Sequence, residues 1–269
     1  MLALSDKTFS HISKLMYETV GLSLTPQKKP LVFSRLAPRI QRLSMDGFET
    51  YVHLIAGNND AGEFQMAVDL LTTNETYFFR EGAHFDLLAQ EVQKLRPRSY
   101  AVWSAASSFG DEAFSTAMLL GDLQTQGRIG DDWSVLGTDI SDRVLRSATT
   151  AIYPEDRLRH VTPERLRRYC LRGENESEGL VQMQDKLRRK VRFGQLNLCQ
   201  PFEGIGTFDA IFLRNVLIYF DAPTKQAVVE RVLTQLKPGG LFFIGMAEGR
   251  IPTATPLQVI SPGAFRKPT

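Results

Sequence analysis

The sequence predicts an α/β protein in which a mostly parallel sheet, covered by helices on both faces, follows a purely helical N-terminal domain. Three observations predict it. From about residue 98, apolar runs of strand length alternate with amphipathic helices, the pattern of a parallel sheet buried on both faces. Before about residue 70 no strand-like run occurs. Between about 169 and 198 the alternation breaks, which points to a small antiparallel insertion. The domain boundaries expected are 1–72 and 73–269, with the β-subdomain inserted at about 169–196.

The N-terminal domain opens with Ser5 as N-cap of a helix carrying Phe9, Ile12, Leu15, Met16 and Val20 at helical spacing, and Gly21 ends it. A second helix is expected from near Pro30 to Leu43, with Leu36, Ile40 and Leu43 inward and Pro38 a point of kinking or breakage. Phe48 to Ile55 and Glu63 to Leu71 read as shorter helices. In the second domain the strands expected are Tyr100–Ala106, Ser134–Thr138, Phe208–Leu213 and Leu241–Gly245. Helices are expected at Asp111–Leu123, from Asp142, and at Thr224–Leu236, the last closed by Lys237-Pro238-Gly239-Gly240. In the insertion, Tyr169–Arg172 and Leu180–Met183 read as a hairpin, Asp185–Lys190 as a short charged segment, and Val191–Leu196 as another strand.

With 269 residues, 43% hydrophobic and 23% charged, the chain has an ordinary globular balance, and its net charge of +2 is too mild to imply nucleic-acid binding. Cys170 and Cys199 are far apart and read as free thiols. The histidines His11, His53, His84 and His160 are scattered, so no metal site is expected. The first residues lack a basic stretch followed by an apolar run, and no segment approaches a membrane span. A cytoplasmic monomer is the expectation.

Ligands of open α/β sheets bind outside the carboxyl ends of the strands. The first strand runs into Ala105-Ala106-Ser107-Ser108-Phe109-Gly110-Asp111-Glu112, small residues that let a ligand approach the backbone. The second ends in Gly137-Thr138-Asp139, a carboxylate suited to a ribose diol. Together they point to a nucleoside-type cofactor; a tight turn followed by an Asp cap would look similar. The absence of GxGxxG argues against a dinucleotide and is compatible with S-adenosylmethionine. The third strand ends in Arg214-Asn215 followed by Tyr219, polar groups that packing alone does not require. The segment 71–80, polar then aromatic then Arg80, is either a site segment or an interdomain linker.

The strings TTNETYFFRE (72–81), SAASSFGDE (104–112), TDI (138–140), FDAIFLRNVLIYF (208–220) and LKPGG (236–240) resemble those of CheR-type chemoreceptor glutamate O-methyltransferases. The resemblance covers nearly the whole chain. It implies an S-adenosylmethionine-dependent methyltransferase (Rossmann-like) sheet with a helical N-terminal domain and a small inserted antiparallel β-subdomain. By motif position it implies cofactor contacts from Asn74, Thr76, Arg80, Glu112, Asp139, Asn197, Leu198, Arg214 and Asn215. Glu112 would meet the charged methionyl portion and Asp139 the ribose, with Arg80 and Tyr219 beside the transferring methyl group. S-Adenosyl-L-homocysteine would be the product. Two departures stand out: Phe109 makes the first loop bulkier, and Gly245-Met246-Ala247-Glu248 replaces Gly-His-Ser-Glu.

The resemblance also implies partners. Lys28, Lys29, Arg35, Arg39 and Arg42 crowd the second helix, and Arg35, Arg39 and Arg42 share a face at i, i+4 and i+7. Such a face suits glutamate-rich receptor helices in the cytoplasm; the alternative is an ordinary solvated surface. In some family members the hairpin captures a receptor's C-terminal peptide by strand addition. Arg172, Gly173 and Gly179 match positions used there, while Gln182 stands where peptide-binding members have arginine. The competing readings are a methyltransferase for a small molecule and a non-catalytic signalling scaffold.

Overall fold

A computed structural model describes residues 2–57, 61–202, 204–249 and 251–269. Helix α1 (Asp6–Val20) starts where Ser5 Oγ accepts the Thr8 N–H at 3.1 Å. It stops at Gly21, whose φ of 72° is costly for a residue with a side chain. Helices α2 (Lys29–Arg42), α3 (Phe48–Ala56) and α4 (Ala61–Leu71) pack on α1. Ile12, Met16, Leu36, Ile40, Phe48 and Tyr51 form their shared core. Pro38 lies inside α2 without ending it, so the break allowed for there is absent.

Helix α5 (Gly82–Leu95) was not anticipated, although His84, Phe85, Leu88 and Val92 give it a buried face at helical spacing. Beyond it come β1 (Ser99–Ser104), α6 (Asp111–Thr125), β2 (Asp132–Asp139) and α7 (Asp142–Thr150). Then follow β3 (Ile152–Pro154), α8 (Pro163–Tyr169), β4 (Cys170–Arg172), β5 (Leu180–Met183) and α9 (Asp185–Arg188). The chain continues through β6 (Val191–Gln195), β7 (Phe208–Leu213), α10 (Ala222–Thr234), β8 (Leu236–Ile244), β9 (Gln258–Ser261) and β10 (Ala264–Arg266).

The large sheet has the order β6-β2-β1-β7-β8-β10-β9. Its first five strands are parallel, and β10 and β9 add antiparallel at one edge. Alternation along β7 covers both faces. Phe212 stacks on Phe243 at 4.5 Å on one side, while Ile211 and Leu213 join Val228 and Val232 of α10 on the other. The strand order reverses on leaving β6 for β7, so a crevice opens at the carboxyl ends of β1 and β7.

Two expectations are corrected. Val191–Leu196 does not belong to the antiparallel insertion: β6 pairs parallel with β2, Val135 opposite Val191 through Asp139 opposite Gln195. The small sheet is β3-β5-β4, so it starts at Ile152 and ends at Met183. Strand alternation has the same period in either sheet, so it cannot assign membership. Likewise Lys237-Pro238-Gly239-Gly240 lies within β8 instead of closing the helix, with Gly239 at φ 76° donating its N–H to the Lys267 carbonyl. The small sheet is held to α6 by arginines: Arg157 on buried Asp111 at 2.7 and 3.0 Å, and Arg165 and Arg168 on Asp122 at 2.7 and 2.9 Å.

Candidate functional site

The crevice widens into a partly open cavity, a concave site of the kind that binds small molecules. The ends of β1, β2, β6 and β7 form its floor, and the end of α1 with segment 72–76 forms its roof. All nine cofactor candidates line it, and so does Tyr219. The structure therefore brings together these ten residues from five separate stretches of chain.

The polar floor is built from fixed charges. Glu112 sits in the first turn of α6, where the helix dipole favours a carboxylate. Its Oε1 accepts from Ser104 Oγ at 2.6 Å and its Oε2 from Arg214 Nε at 2.7 Å. The Arg214 side chain is only 2% exposed, and Nη1 also donates to the Arg80 carbonyl at 2.8 Å and Glu81 Oε2 at 3.2 Å. Asp139, at the end of β2, accepts the Ser108 N–H at 2.9 Å and the Ser141 N–H at 3.0 Å. Burial pushes the Asp139 carboxyl above the usual range, and these amides oppose that push.

The mouth is less enclosed. Arg80 Nη1 donates to the Glu75 carbonyl at 2.9 Å, and the guanidinium lies 5.8 Å from the Tyr77 ring centroid. The Tyr219 hydroxyl points to the Thr73 carbonyl at 3.4 Å, a long contact that leaves it available. Asn74 shapes the rim through its carbonyl, which accepts from Ser108 Oγ at 3.1 Å; Thr76 lines the same wall. Asn197 lines the cavity too, but its amide is engaged: Nδ2 donates to the Thr19 carbonyl at 2.7 Å and Oδ1 accepts the Cys199 N–H. Buried Leu198 supplies apolar wall beside it.

Sequence reasoning missed Glu81, Glu248, and Val20 and Leu22 at and just past the end of α1. Glu248 had a readable signal, since it follows the noted Gly245-Met246-Ala247 departure. Its carboxylate accepts three backbone amides, Gly245 at 2.7 Å, Leu217 at 2.7 Å and Asn215 at 3.1 Å. It thereby holds Asn215 at a φ of 58°, a left-handed conformation that asparagine tolerates better than other residues with side chains. A Cβ at Gly245 would lie 2.6 Å from Asn215 Nδ2 and 2.9 Å from Glu248 Oε2, so a side chain there would push on both. Glu248→Gln should turn one acceptor into a donor facing amide N–H groups. We expect a loss of about 1–3 kcal/mol in stability, read by denaturant unfolding, with cofactor affinity falling in parallel. Unchanged unfolding would remove Glu248 from this role.

Phe109 is not a cavity residue. It packs between Arg157, 4.5 Å from its ring centroid, and Arg143 at 5.7 Å, so the expected bulk in the cofactor loop is corrected.

Two arginines of the basic stripe on α2 are engaged within the chain. Arg35 donates to the Leu71 and Thr72 carbonyls at 2.9 and 3.1 Å and to Thr73 Oγ1 at 2.9 Å. Arg39 is bound to buried Glu63, which Tyr51 also contacts. Helical spacing identifies a face; it does not show that a buried carboxylate and a carbonyl row stand opposite it. Lys29 pairs with Asp6, and Lys28 donates to the Ser23 carbonyl and lies 6.0 Å from the Tyr219 ring centroid, while Arg42 is exposed. Arg172, Gly173 and Gly179 are grouped at the β4–β5 connection, away from the cavity lining, with Arg172 paired to Glu155.

The donor set fits one class of cofactor. Paired acceptors on Asp139 suit a diol, Glu112 suits an ammonium group, and Ala105 and Ala106 leave room beside the strand ends. Residues 74–261 match the family model described as CheR methyltransferase, SAM binding domain, and residues 7–72 match CheR methyltransferase, all-alpha domain. The chain belongs to the CheR methyltransferase family. It is 43% identical to the chemotaxis protein methyltransferase of Escherichia coli K12, over 92% of this chain and 86% of that relative. The Salmonella typhimurium relative is 40% identical over 92% and 85%, and Pseudomonas aeruginosa chemotaxis protein methyltransferase 2 is 39% identical over 89% and 85%. As a family member, the chain is a methyltransferase that uses S-adenosylmethionine. No helix among the described residues is long and apolar enough to cross a membrane.

Proposed function

We propose that the chain methylates glutamate side chains on the cytoplasmic helices of chemoreceptors, forming the methyl esters of chemotaxis adaptation. The observation that carries this reading is the placement of Arg80 and Tyr219 at the mouth of a cavity whose floor holds Glu112, Asp139 and Arg214. The names of its relatives support the chemotactic setting.

S-Adenosylmethionine, when bound, supplies a methyl carbon that is already electrophilic. A glutamate carboxylate, with an ordinary pKa of about 4.3, is ionised near neutral pH and needs no strong base. The work left to the protein is alignment and exclusion of water, which can lower a barrier by roughly 7–11 kcal/mol. Arg80 is suited to hold one carboxylate oxygen by a charge-assisted hydrogen bond and leave the other to react. Tyr219 is suited to donate to the same carboxylate or orient the methyl group. Tyr219→Phe should lower kcat about tenfold or more while the dissociation constant for cofactor moves less than threefold. Single-turnover kinetics beside calorimetry would check this, and equal losses would remove Tyr219 from the reacting centre.

Docking on α2 narrows to Lys28, Lys29 and Arg42, with Arg35 and Arg39 shaping the surface from within. The outer edge of β4, with Arg172, Gly173 and Gly179 at its end, is the place for a receptor's C-terminal peptide to add as a strand. The deciding experiment transfers labelled methyl groups to membranes holding candidate receptors, with and without their C-terminal tails. Base-labile label on the receptor is the expected result, and its loss on tail removal would establish the tether. Label appearing only on free metabolites would overturn the proposal.

A further inference from the structure

His84 is 1% exposed on α5 and belongs to no part of the reaction described so far. Three contacts define its state. Nε2 lies 3.1 Å from the Pro262 carbonyl, and Nδ1 lies 3.2 Å from Arg214 Nη1 and, farther off, 3.5 Å from Glu81 Oε2. A carbonyl only accepts, so Nε2 carries the proton. A guanidinium only donates, so Nδ1 is bare. The ring is thus the neutral tautomer with its lone pair aimed at Arg214. Burial, opposed by the Pro262 bond, pushes the imidazole pKa down and agrees with a neutral ring. The charged groups around it are Arg214 from the loop after β7, Glu81 at the start of its own helix, and Glu112 from α6.

The surroundings keep the ring in place. Phe243 of β8 lies against it at 5.3 Å between centroids. At Gly263, in the β9–β10 turn, a Cβ would come within 3.0 Å of Nε2, so the turn approaches the ring as only glycine allows. Arg214 Nη1 has three acceptors within reach, the Arg80 carbonyl, Glu81 and His84. The guanidinium carbon lies 5.4 and 5.5 Å from the Phe85 and Phe212 ring centroids. Without the Nδ1 acceptor, Nη1 is left with the Arg80 carbonyl and Glu81, and the plane that presents Nε to Glu112 is free to turn toward them.

We propose that His84 is a positioning residue for S-adenosylmethionine, acting through Arg214 to hold Glu112 toward the methionyl end of the cofactor. This rests on the assignment of Glu112 and Arg214 to that end. A purely structural role, tying α5 to the β9–β10 turn through Pro262, makes the opposite prediction for two substitutions. Asparagine places its amide near Nδ1, so His84→Asn keeps an acceptor for Arg214 and loses the Pro262 bond. Glutamine reaches the Nε2 position, so His84→Gln keeps the Pro262 bond and loses the acceptor.

The test is calorimetric titration of S-adenosylmethionine into both full-length variants, with melting temperatures and steady-state kinetics alongside. His84→Asn should bind within about threefold of wild type despite a lower melting temperature. His84→Gln should bind about tenfold or more weakly, the loss of one hydrogen bond to a charged group, with KM for the cofactor rising more than kcat falls. Wild-type affinity in His84→Gln, or losses in both variants that track melting temperature, would overturn the proposal. If neither variant folds, 15N-histidine spectra of the wild-type protein decide it. A bare Nδ1 whose resonance moves on adding S-adenosylhomocysteine is expected, and a resonance that stays still overturns it. Glu112→Gln serves as the separate control: full cofactor affinity there would sink the underlying assignment instead.

Discussion

Arg214→Leu is expected to cost both stability and cofactor binding, the largest combined effect in this protein. The Arg214 side chain is 2% exposed, with Glu112 at 10% and Glu81 at 16% beside it. Removing the cation leaves two largely buried carboxylates without their shared counter-charge. Breaking a buried pair in this way costs about 3–5 kcal/mol. Each kcal/mol lowers the melting temperature of a chain this size by roughly 2–4 °C, so the shift is large. Arg214→Lys separates the two contributions: it restores a charge, but a single ammonium cannot reproduce the fork that reaches Glu112, Glu81, the Arg80 carbonyl and His84 together. Lysine should therefore recover part of the stability and little of the affinity. Thermal unfolding and calorimetry read the two, and a leucine variant as stable as wild type would show that the carboxylates find other partners.

Asp139→Asn should weaken S-adenosylmethionine binding by roughly a hundredfold, with a smaller loss of turnover at saturating cofactor. Both Asp139 oxygens already accept backbone amides, from Ser108 and Ser141. A carboxylate has further lone pairs for a diol, whereas an amide presents one acceptor and an NH2 group that confronts one of those N–H donors. Losing charged hydrogen bonds at about 1.5–3 kcal/mol each gives that magnitude. The residue lies at the end of β2, whereas Arg80 and Tyr219 belong to the mouth, so the effect belongs to KM more than kcat. Equal losses in both would mean that Asp139 shapes the reacting centre as well.

Much of the architecture is legible in the sequence because its causes are local. Ser5 and Gly21 bracket α1 through a side-chain oxygen and a left-handed backbone. Strands β1, β2 and β7 show as apolar runs, and strand ends are where ligands bind, so Glu112, Asp139, Arg214 and Asn215 were within reach before any coordinates. Tyr219 stood out in the same way, the family resemblance added Asn74, Thr76, Arg80, Asn197 and Leu198, and all ten of these residues line one cavity.

What the tertiary structure alone decided are the partners. A period of two identifies β6 as a strand, but only its pairing with β2 assigns it to the large sheet. A period of 3.6 places Arg35 and Arg39 on one face, but only the packing of α2 shows Arg39 on buried Glu63 and Arg35 on the carbonyls that lead into segment 72–76. Arg214 meets Glu112 across 102 residues and His84 across 130. Backbone propensity and side-chain periodicity act over a few residues, so sequence determines which elements form and which faces they bury. Which charge meets which is settled when those faces pack, because a buried ion or imidazole is tolerated only beside the particular group that desolvation leaves it.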